Sequence, residues 1–576
     1  MNEHWILHNS HNKDFRSPFG AASCHTEITL RLLIAARQQS AVVLPDAVQL
    51  RLWQDGCGET ILDMCLSEQS QEEYWYEVVF AASSVPGVLW YYFIVRQGGQ
   101  LFYYGNNAEE TGGVGQITAC PPPSYQISTY LAGAVTPGWF KHAVIYQVFV
   151  DRFYNGLPDG KFLNPRPGSL LHANWQDTPV YTRDMDTGAI LAYDFFGGNL
   201  SGVIAKLPYL VELGITALYF NPIFAAPSNH KYDTADYYSI DPMFGDNDLF
   251  TQLCAEARER GIAIILDGVF SHTGSDSIYF NKEGTYTSIG AYQSPKSPYY
   301  SWYKFTEYPE KYESWWGVDN LPNVNEEDES YQKFIIEAAD SVLKHWLKAG
   351  VKGWRLDVAD ELPESFLKNF YKTLKQTDPE AVLIGEVWED ASRKVSYGQL
   401  RQYFNGTELD GVMNYPFRKL VLDFMLGRKA AQDVHRALFS LYENYPKENF
   451  YANMNIIGSH DVPRILTLLA QAPAEESQSK LGAFKHKLLP TQRELGIARL
   501  KLVVLWQMTF PGAPCIYYGD EAGLEGYSDP LNRRTYPWGQ EQADLVSWYK
   551  QLIGLRQQYP VLQTGEWLPL LAENHV

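Results

Sequence analysis

The residues able to do chemistry in this chain lie at the ends of short apolar runs. Gly353-Trp354-Arg355-Leu356-Asp357-Val358 reads as a strand, with Trp354, Leu356 and Val358 alternating against Arg355 and Asp357. Residues two apart in a strand face the same way, so Arg355 and Asp357 share one face. A cation beside a carboxylate favours the ionised form and lowers its pKa. An ionised, oriented Asp is what nucleophilic attack on a sugar carbon needs. Taken alone, an Arg-x-Asp pair also fits a structural ion pair.

Other strand ends add to it. Asp267 and His272 follow one apolar run, Glu386 another, and His460 with Asp461 a third. Carboxylates, two imidazoles and a guanidinium would then meet at one mouth. Like charges held so close raise one another's pKa, an arrangement usually kept for function. Asp357, beside Arg355, is expected to stay ionised as a nucleophile. Glu386, among Ile384, Val387 and Trp388, is expected to be buried in apolar surroundings that raise its pKa, suiting a general acid that later acts as base. Asp461 would hold developing positive charge or sugar hydroxyls, and His272 and His460 would bond hydroxyls.

The elements that must position these groups alternate between strand and helix. Strand candidates fall at 143–150, 215–222, 262–269, 351–357, 381–388, 409–415, 453–460 and 513–520. Amphipathic runs separate them: Leu200–Leu213, Asp248–Arg260, Gln332–Lys348, Ala498–Met508 and Ala543–Gln558. In the third, Phe334, Ala338, Val342 and Trp346 illustrate a period of nearly four. Eight strands each followed by a helix describe a (β/α)8 barrel, whose chemistry sits at the C-terminal strand ends. An open doubly wound sheet is the alternative. The connection at 271–328 is long for a loop and rich in aromatics, Tyr279, Phe280, Trp302, Trp315 and Trp316 among them. It predicts a small subdomain at the barrel mouth, or a satellite core supporting only itself.

Residues 1–132 read as strands instead. Glu27–Ala35, Ala47–Trp53, Tyr74–Ala81 and Val88–Arg96 carry β-branched and aromatic alternation, and Gly98-Gly99 marks a hairpin before Leu101–Tyr104. A β-sandwich of immunoglobulin-like size follows. The prolines at 121–123 and 137 stiffen a connection to the barrel, placed at 133–560.

At 576 residues the chain needs two or three domains. A formal net charge of -20 argues against nucleic-acid and anionic-membrane partners and fits a neutral ligand. Aromatics at 14% supply flat rings for sugar faces. The start lacks a basic segment and an apolar run, so no signal peptide is expected, and no stretch reads as membrane-spanning. Six cysteines without C-x-x-C spacing predict reduced thiols in a cytoplasmic protein and no metal centre built on them.

Four segments occur in one order: Asp267-Gly-Val-Phe-Ser-His272, Gly353-Trp-Arg-Leu-Asp357, Gly385-Glu-Val-Trp388 and Gly458-Ser-His-Asp461. In this they resemble glycoside hydrolase family 13, the α-amylase family, over about 140–560. The resemblance implies Asp357 as nucleophile, Glu386 as acid/base and Asp461 as transition-state stabiliser, with Arg355, His272 and His460 completing the subsite. It adds Tyr232 as a stacking residue and His230 in the same pocket. Within the family, Leu321–Asn325 and Asp529–Trp538 resemble segments of the neopullulanase, cyclomaltodextrinase and maltogenic amylase group. That likeness implies Glu361 and Trp388 on the aglycone side, Asp529 and Arg533 near the glycone end, and a starch-binding-type module at 1–132. It also implies α-glucan oligosaccharide substrates (cyclodextrins, pullulan, malto-oligosaccharides), α-1,4 and also α-1,6 cleavage, and a homodimer in which the module covers the partner's site. No cofactor is required by this reading.

Three departures carry expectations. Ser271 replaces an Asn before His272 and is expected to loosen that loop. Asn155-Gly-Leu-Pro-Asp159 resembles a calcium loop, with Asn155 and Asp159 as ligands, but Leu157 stands where an oxygen is expected. Residues 561–576 read as the stub of a C-terminal β domain, lost or shortened. Two readings compete with a retaining hydrolase: a catalytically silent glucan-binding or structural subunit, and a transglycosylase using the same residues.

Overall fold

The computed structural model describes residues 5–35, 44–70, 72–184, 186 and 190–573. Strict alternation builds the N-terminal part. In Ala47–Gln54, Val48, Leu50 and Leu52 are buried while Gln49, Arg51 and Trp53 face outward. A five-stranded sheet is centred on Glu27–Ala35 and Glu73–Ala81, and a seven-stranded sheet on Ala47–Gln54 and Gly87–Gln97. Leu30, Leu32, Leu50, Tyr91 and Phe93 fill the space between them, making the expected sandwich. Gly98 and Gly99 take φ +58° and +77°, the turn a two-residue hairpin requires.

The second part is the barrel. Its strands are β1 (Ile145–Val148), β2 (Ala217–Phe220), β3 (Ala263–Gly268), β4 (Gly353–Leu356), β5 (Val382–Gly385), β6 (Gly411–Val412), β7 (Met454–Ile456) and β8 (Ala513–Tyr517). All pairings are parallel and run β6-β5-β4-β3-β2-β1-β8-β7. A parallel bridge between Met413 and Met454, with Asn414 N–H donating to Met454 O at 2.9 Å, joins β6 to β7 and closes the ring. The open-sheet alternative is thereby excluded. Ile145, Tyr219, Ile265, Ile384, Met454 and Cys515 fill the interior. Leu218, Leu266, Trp354 and Leu356 pack outward with the helix side chains. Arg355 therefore points inward, towards the site. Gly353 has to be small: a Cβ there would lie 2.4 Å from Val382 Cγ1 across β4 and β5.

The helix expected over 332–348 is broken. Glu329–Gln332 is α-helical, Lys333–Glu337 forms a π turn, and Val342–Ala349 starts a new helix. Ser341 Oγ donates to the freed Ile336 carbonyl at 2.9 Å, giving the break a local hydrogen-bond solution. Of the four residues of the expected period, Val342 and Trp346 are buried, whereas Phe334 and Ala338 are half-buried and Ile335 and Ile336 take the inward positions before the break.

The insert at 271–328 is not a core that supports only itself. Phe280 packs with Tyr303 and Tyr312 inside it, while Tyr279 and Trp302 join the barrel core beside Tyr331 and Phe334. A bridge between His272 and Asn323, and Val324 N–H on Ser271 O at 3.1 Å, sew it to the end of β3. Ser271 Oγ lies 3.0 Å from His272 Nδ1, so the loop expected to be loosened is held on both sides.

Residues 561–573 carry the short helix Val561–Thr564 and no strand among the described residues. Trp567 docks on Phe439 and Phe510. No described helix is long and apolar enough to cross a membrane.

Candidate active site

The centre of the site is the Arg355 guanidinium. Its Nη1 donates to Asp267 Oδ1 at 2.7 Å and to Asp357 Oδ1 at 2.8 Å. Its Nη2 lies 2.8 Å from Glu386 Oε2, without hydrogen-bond alignment. One cation thus serves three buried carboxylates. It does not lower the Asp357 pKa as the two-residue spacing suggested. Burial raises it well above the ordinary value, against the pull of Arg355 and with help from Glu386 and Asp267. Asp267 is raised as well, again by burial first. Burial therefore outweighs the attraction that a single Arg–Asp pair would exert, because one guanidinium is divided among three carboxylates.

Glu386 also departs from expectation. Ile384 turns into the barrel interior and Val387 into the outer core. The carboxylate meets donors instead: Val358 N–H at 2.9 Å on Oε2 and Trp388 Nε1 at 3.0 Å on Oε1. Val358 sits at φ +40°, unusual for a β-branched residue, where β4 has just ended.

Asp267 was expected to bind substrate. Its Oδ1 is taken by Arg355, and its Oδ2 by Tyr219 OH at 2.6 Å and Tyr232 OH at 3.0 Å. It is buried beneath the site and positions Arg355 and Tyr232.

Tyr232 stacks on His460, with centroids 5.4 Å apart and planes at 7°, and its hydroxyl lies 2.5 Å from His460 Nε2. His460 Nδ1 faces Gln147 Nε2 at 2.9 Å, so the ring proton belongs on Nε2, which reaches Asp461 Oδ1 at 3.1 Å. Burial first, then Arg533 and Arg355, hold the His460 pKa well below its ordinary value, so the ring is neutral. Asp461 opens to the cleft, its Oδ2 accepting from Tyr415 OH at 3.3 Å. His272 is neutral too, its pKa lowered by burial to about 4, and its Nε2 lies 3.2 Å from Tyr232 O. His230 stacks beside Tyr232.

The remaining expected residues frame the cleft. Arg533 pairs with Asp529 at 3.0 Å and donates twice to His460 O, while Tyr181 OH donates to Asp529 Oδ1 at 2.8 Å. Glu361 accepts from Trp316 Nε1 at 2.8 Å. Trp388 stacks on Tyr415 with centroids 3.8 Å apart. The Arg355, Asp357, Glu386, His460, Asp461 and Tyr232 side chains therefore converge.

At the loop expected to hold calcium, Asn155 and Asp159 have protein partners. Asn155 Oδ1 accepts from Leu157 N–H at 2.9 Å and Asn199 Nδ2 at 3.0 Å, and exposed Asp159 pairs with Lys161 at 3.0 Å.

Sequence reasoning missed Gln147, Tyr219, Tyr415, Val358 and also Asn532, whose Nδ2 donates to His460 O at 2.8 Å. Gln147 had a signal: a lone amide in the apolar run of β1. Tyr219 and Tyr415 look like ordinary core aromatics, and nothing local marks Val358.

Comparison with known proteins agrees with this geometry. The model of the α-amylase catalytic domain matches residues 147–544. An amylopullulanase of Thermoanaerobacter thermohydrosulfuricus is 38% identical over 99% of this chain, which covers 40% of that protein. Neopullulanase 2 of Thermoactinomyces vulgaris is 36% identical over 75% of this chain and 65% of its own length. The solved structure of a cyclomaltodextrinase superposes with a TM-score of 0.66 at 28% identity, covering 99% of this chain and 88% of that one. The chain spans less than half the length of the amylopullulanases it matches. With this match over most of the barrel and a site of that design, the chain belongs to the α-amylase family.

Proposed function

We propose that this chain hydrolyses α-glucosidic bonds in cyclodextrins, pullulan and malto-oligosaccharides, with retention, by double displacement. The observation that carries the reading is the shared guanidinium: Asp357 and Glu386 both lie 2.8 Å from Arg355. Holding both carboxylates on one group supports the separation of about 5–5.5 Å that retention needs. Asp357 attacks the anomeric carbon as the Glu386 proton passes to the leaving oxygen. Glu386 then takes a proton from water, which displaces Asp357. Asp461, fixed by neutral His460 and Tyr415, faces the developing positive charge, and the Tyr232–His460 stack lies under the sugar. The substrate class is supported by relatives named amylopullulanase, neopullulanase and cyclomaltodextrinase.

The same reading includes a homodimer and a cytoplasmic site of action. The first is supported by the resemblance of the N-terminal module. The second is supported by six unpaired cysteines and by a relative named intracellular maltogenic amylase.

The test is product analysis on β-cyclodextrin, pullulan and soluble starch, with the first-formed anomer followed by proton NMR. Release of the α-anomer, with compact or bent substrates ahead of starch, is expected. Release of the β-anomer, or no cleavage of any of the three, overturns the reading. Products longer than the substrate would mark transfer as the main reaction.

A further inference from the structure

Two large aromatic side chains stand out into solvent near the cleft. Trp316 is 80% exposed and Tyr397 is 77% exposed. Both also have left-handed backbone, at φ +51° and +50°. Bulky residues avoid that conformation, and apolar surface left in water forgoes its burial energy. An outlier retained against both tendencies calls for a reason in function.

Their positions supply one. Trp316 Nε1 holds Glu361 Oε1 at 2.8 Å, and the preceding Trp315 ring lies 5.6 Å from that of His272. Tyr397 is the first turn residue of a hairpin in which Val395 pairs with Leu400 and Ser396 with Gln399, and Gly398 follows at φ +76°. That hairpin is fastened to the segment carrying Glu361. Ser396 Oγ donates to Asp360 O at 2.8 Å, and Lys394 Nζ lies 3.2 Å from Asp360 Oδ2. Arg401 Nη2 donates to Ala359 O at 3.2 Å and also to Leu362 O. Partial desolvation, then Glu361, Asp360 and Glu326, push the Tyr397 phenol up.

The chain also says which side of the scissile bond this is. Glu386 gives its proton to the leaving oxygen. Trp388 Nε1 donates to Glu386 Oε1, and the hairpin is fastened to the segment that follows Val358, whose N–H holds Glu386 Oε2, while Asp529, Arg533 and Tyr181 flank the far side at His460. Glu361, Trp316 and Tyr397 therefore border the leaving-group side.

We propose that Trp316 and Tyr397 form an outer leaving-group subsite, which stacks a glucose ring of the α-glucan beyond the ring attached to the scissile oxygen. Glu361, held by Trp316, accepts from that sugar's hydroxyls. Stacking suits an oblique cleft edge because both faces of a glucose ring carry C–H groups, and an aromatic ring offers them large area with few rotors to fix. The assignment rests on the proposed hydrolysis and adds a length requirement: substrates must extend past the bond to use it.

The experiment compares wild type with Tyr397→Asn and Trp316→Ala on maltoheptaose and on 4-nitrophenyl α-maltoside, whose leaving group is too short to reach the hairpin. The ratio of kcat/KM on the long to the short substrate should fall about tenfold in each variant, roughly one stacking contact. Tyr397→Phe should keep most of the ratio. Asn tolerates left-handed backbone, so Tyr397→Asn should also raise Tm, showing an intact fold. A raised Tm with an unchanged ratio overturns the subsite, as does an equal loss on both substrates. A wild type that cleaves neither substrate overturns the hydrolase reading instead. In that case calorimetric titration of maltoheptaose decides the subsite, which predicts about tenfold weaker binding in both variants and is refuted by equal affinity.

Discussion

The backbone N–H of Val358 donates to Glu386 Oε2 at 2.9 Å from a residue at φ +40°. The donor belongs to the residue after Asp357, so one peptide plane fixes the acid relative to the nucleophile. The conformation is disfavoured for valine by roughly 1–3 kcal/mol. Val358→Gly should relieve that strain and raise Tm, while letting the donor wander and lowering kcat about tenfold. Differential scanning calorimetry and steady-state kinetics on one preparation check both arms; an unchanged kcat would make the conformation incidental.

Asp357→Asn should abolish turnover, by a factor on the order of 10⁴ or more, and should stabilise the fold near neutral pH. The sign follows from the raised pKa of Asp357. The folded state holds the proton more tightly than the unfolded chain. Stability is therefore greatest below the ordinary Asp pKa and is lost as pH rises through the elevated folded value. Asn mimics the protonated form and should flatten that loss. Thermal unfolding across this range reads it out, and a variant less stable than wild type at neutral pH would contradict it.

His272 should contribute to acid sensitivity. Its folded pKa is lowered to about 4 by burial. Between the ordinary His value, about 6.5, and about 4, the unfolded chain binds the proton and the folded one does not. Stability is complete above that window and falls on acidification through it, by about 3 kcal/mol at most. His272→Gln should reduce the slope of Tm against pH in this window, and an unchanged slope would assign it to other groups.

The two domains are clasped by a buried ion pair. Arg16 Nη1 lies 2.7 Å from Glu443 Oε1, both side chains almost fully buried, and His11 Nε2 reaches Glu443 Oε2 at 3.0 Å. Arg16→Met leaves that carboxylate short of its main partner and should cost about 3–5 kcal/mol. Adding Glu443→Gln should recover much of it. Additive losses in thermal unfolding would show that the pair does not couple. For the same reason a barrel cut near Thr136 starts with a buried charge uncovered. Substrate comparisons on the module are better made with its surface residues changed in the full chain.

How much of this was legible beforehand can be argued residue by residue. The period of the side chains is local, so the sandwich strands, the eight barrel strands and helices such as Leu200–Leu213 could be read directly. Arg355, Asp357, Glu386, His460 and Asp461 could be placed at one mouth, because parallel strands carry their C-terminal ends to one face. Three-dimensional packing decided the rest. The charge state around Asp357 depends on how many carboxylates share Arg355, and Asp267 arrives from a different strand. Glu386 looked apolar because its chain neighbours are; in the fold they turn away and donors from Val358 and Trp388 take their place. Trp316 and Tyr397 are far apart in sequence; the insert carries the first to Glu361, and the hairpin bearing the second is fastened to Asp360. Local pattern sets which way a side chain points, whereas desolvation and charge sharing depend on everything around it, and that is set by the closed barrel.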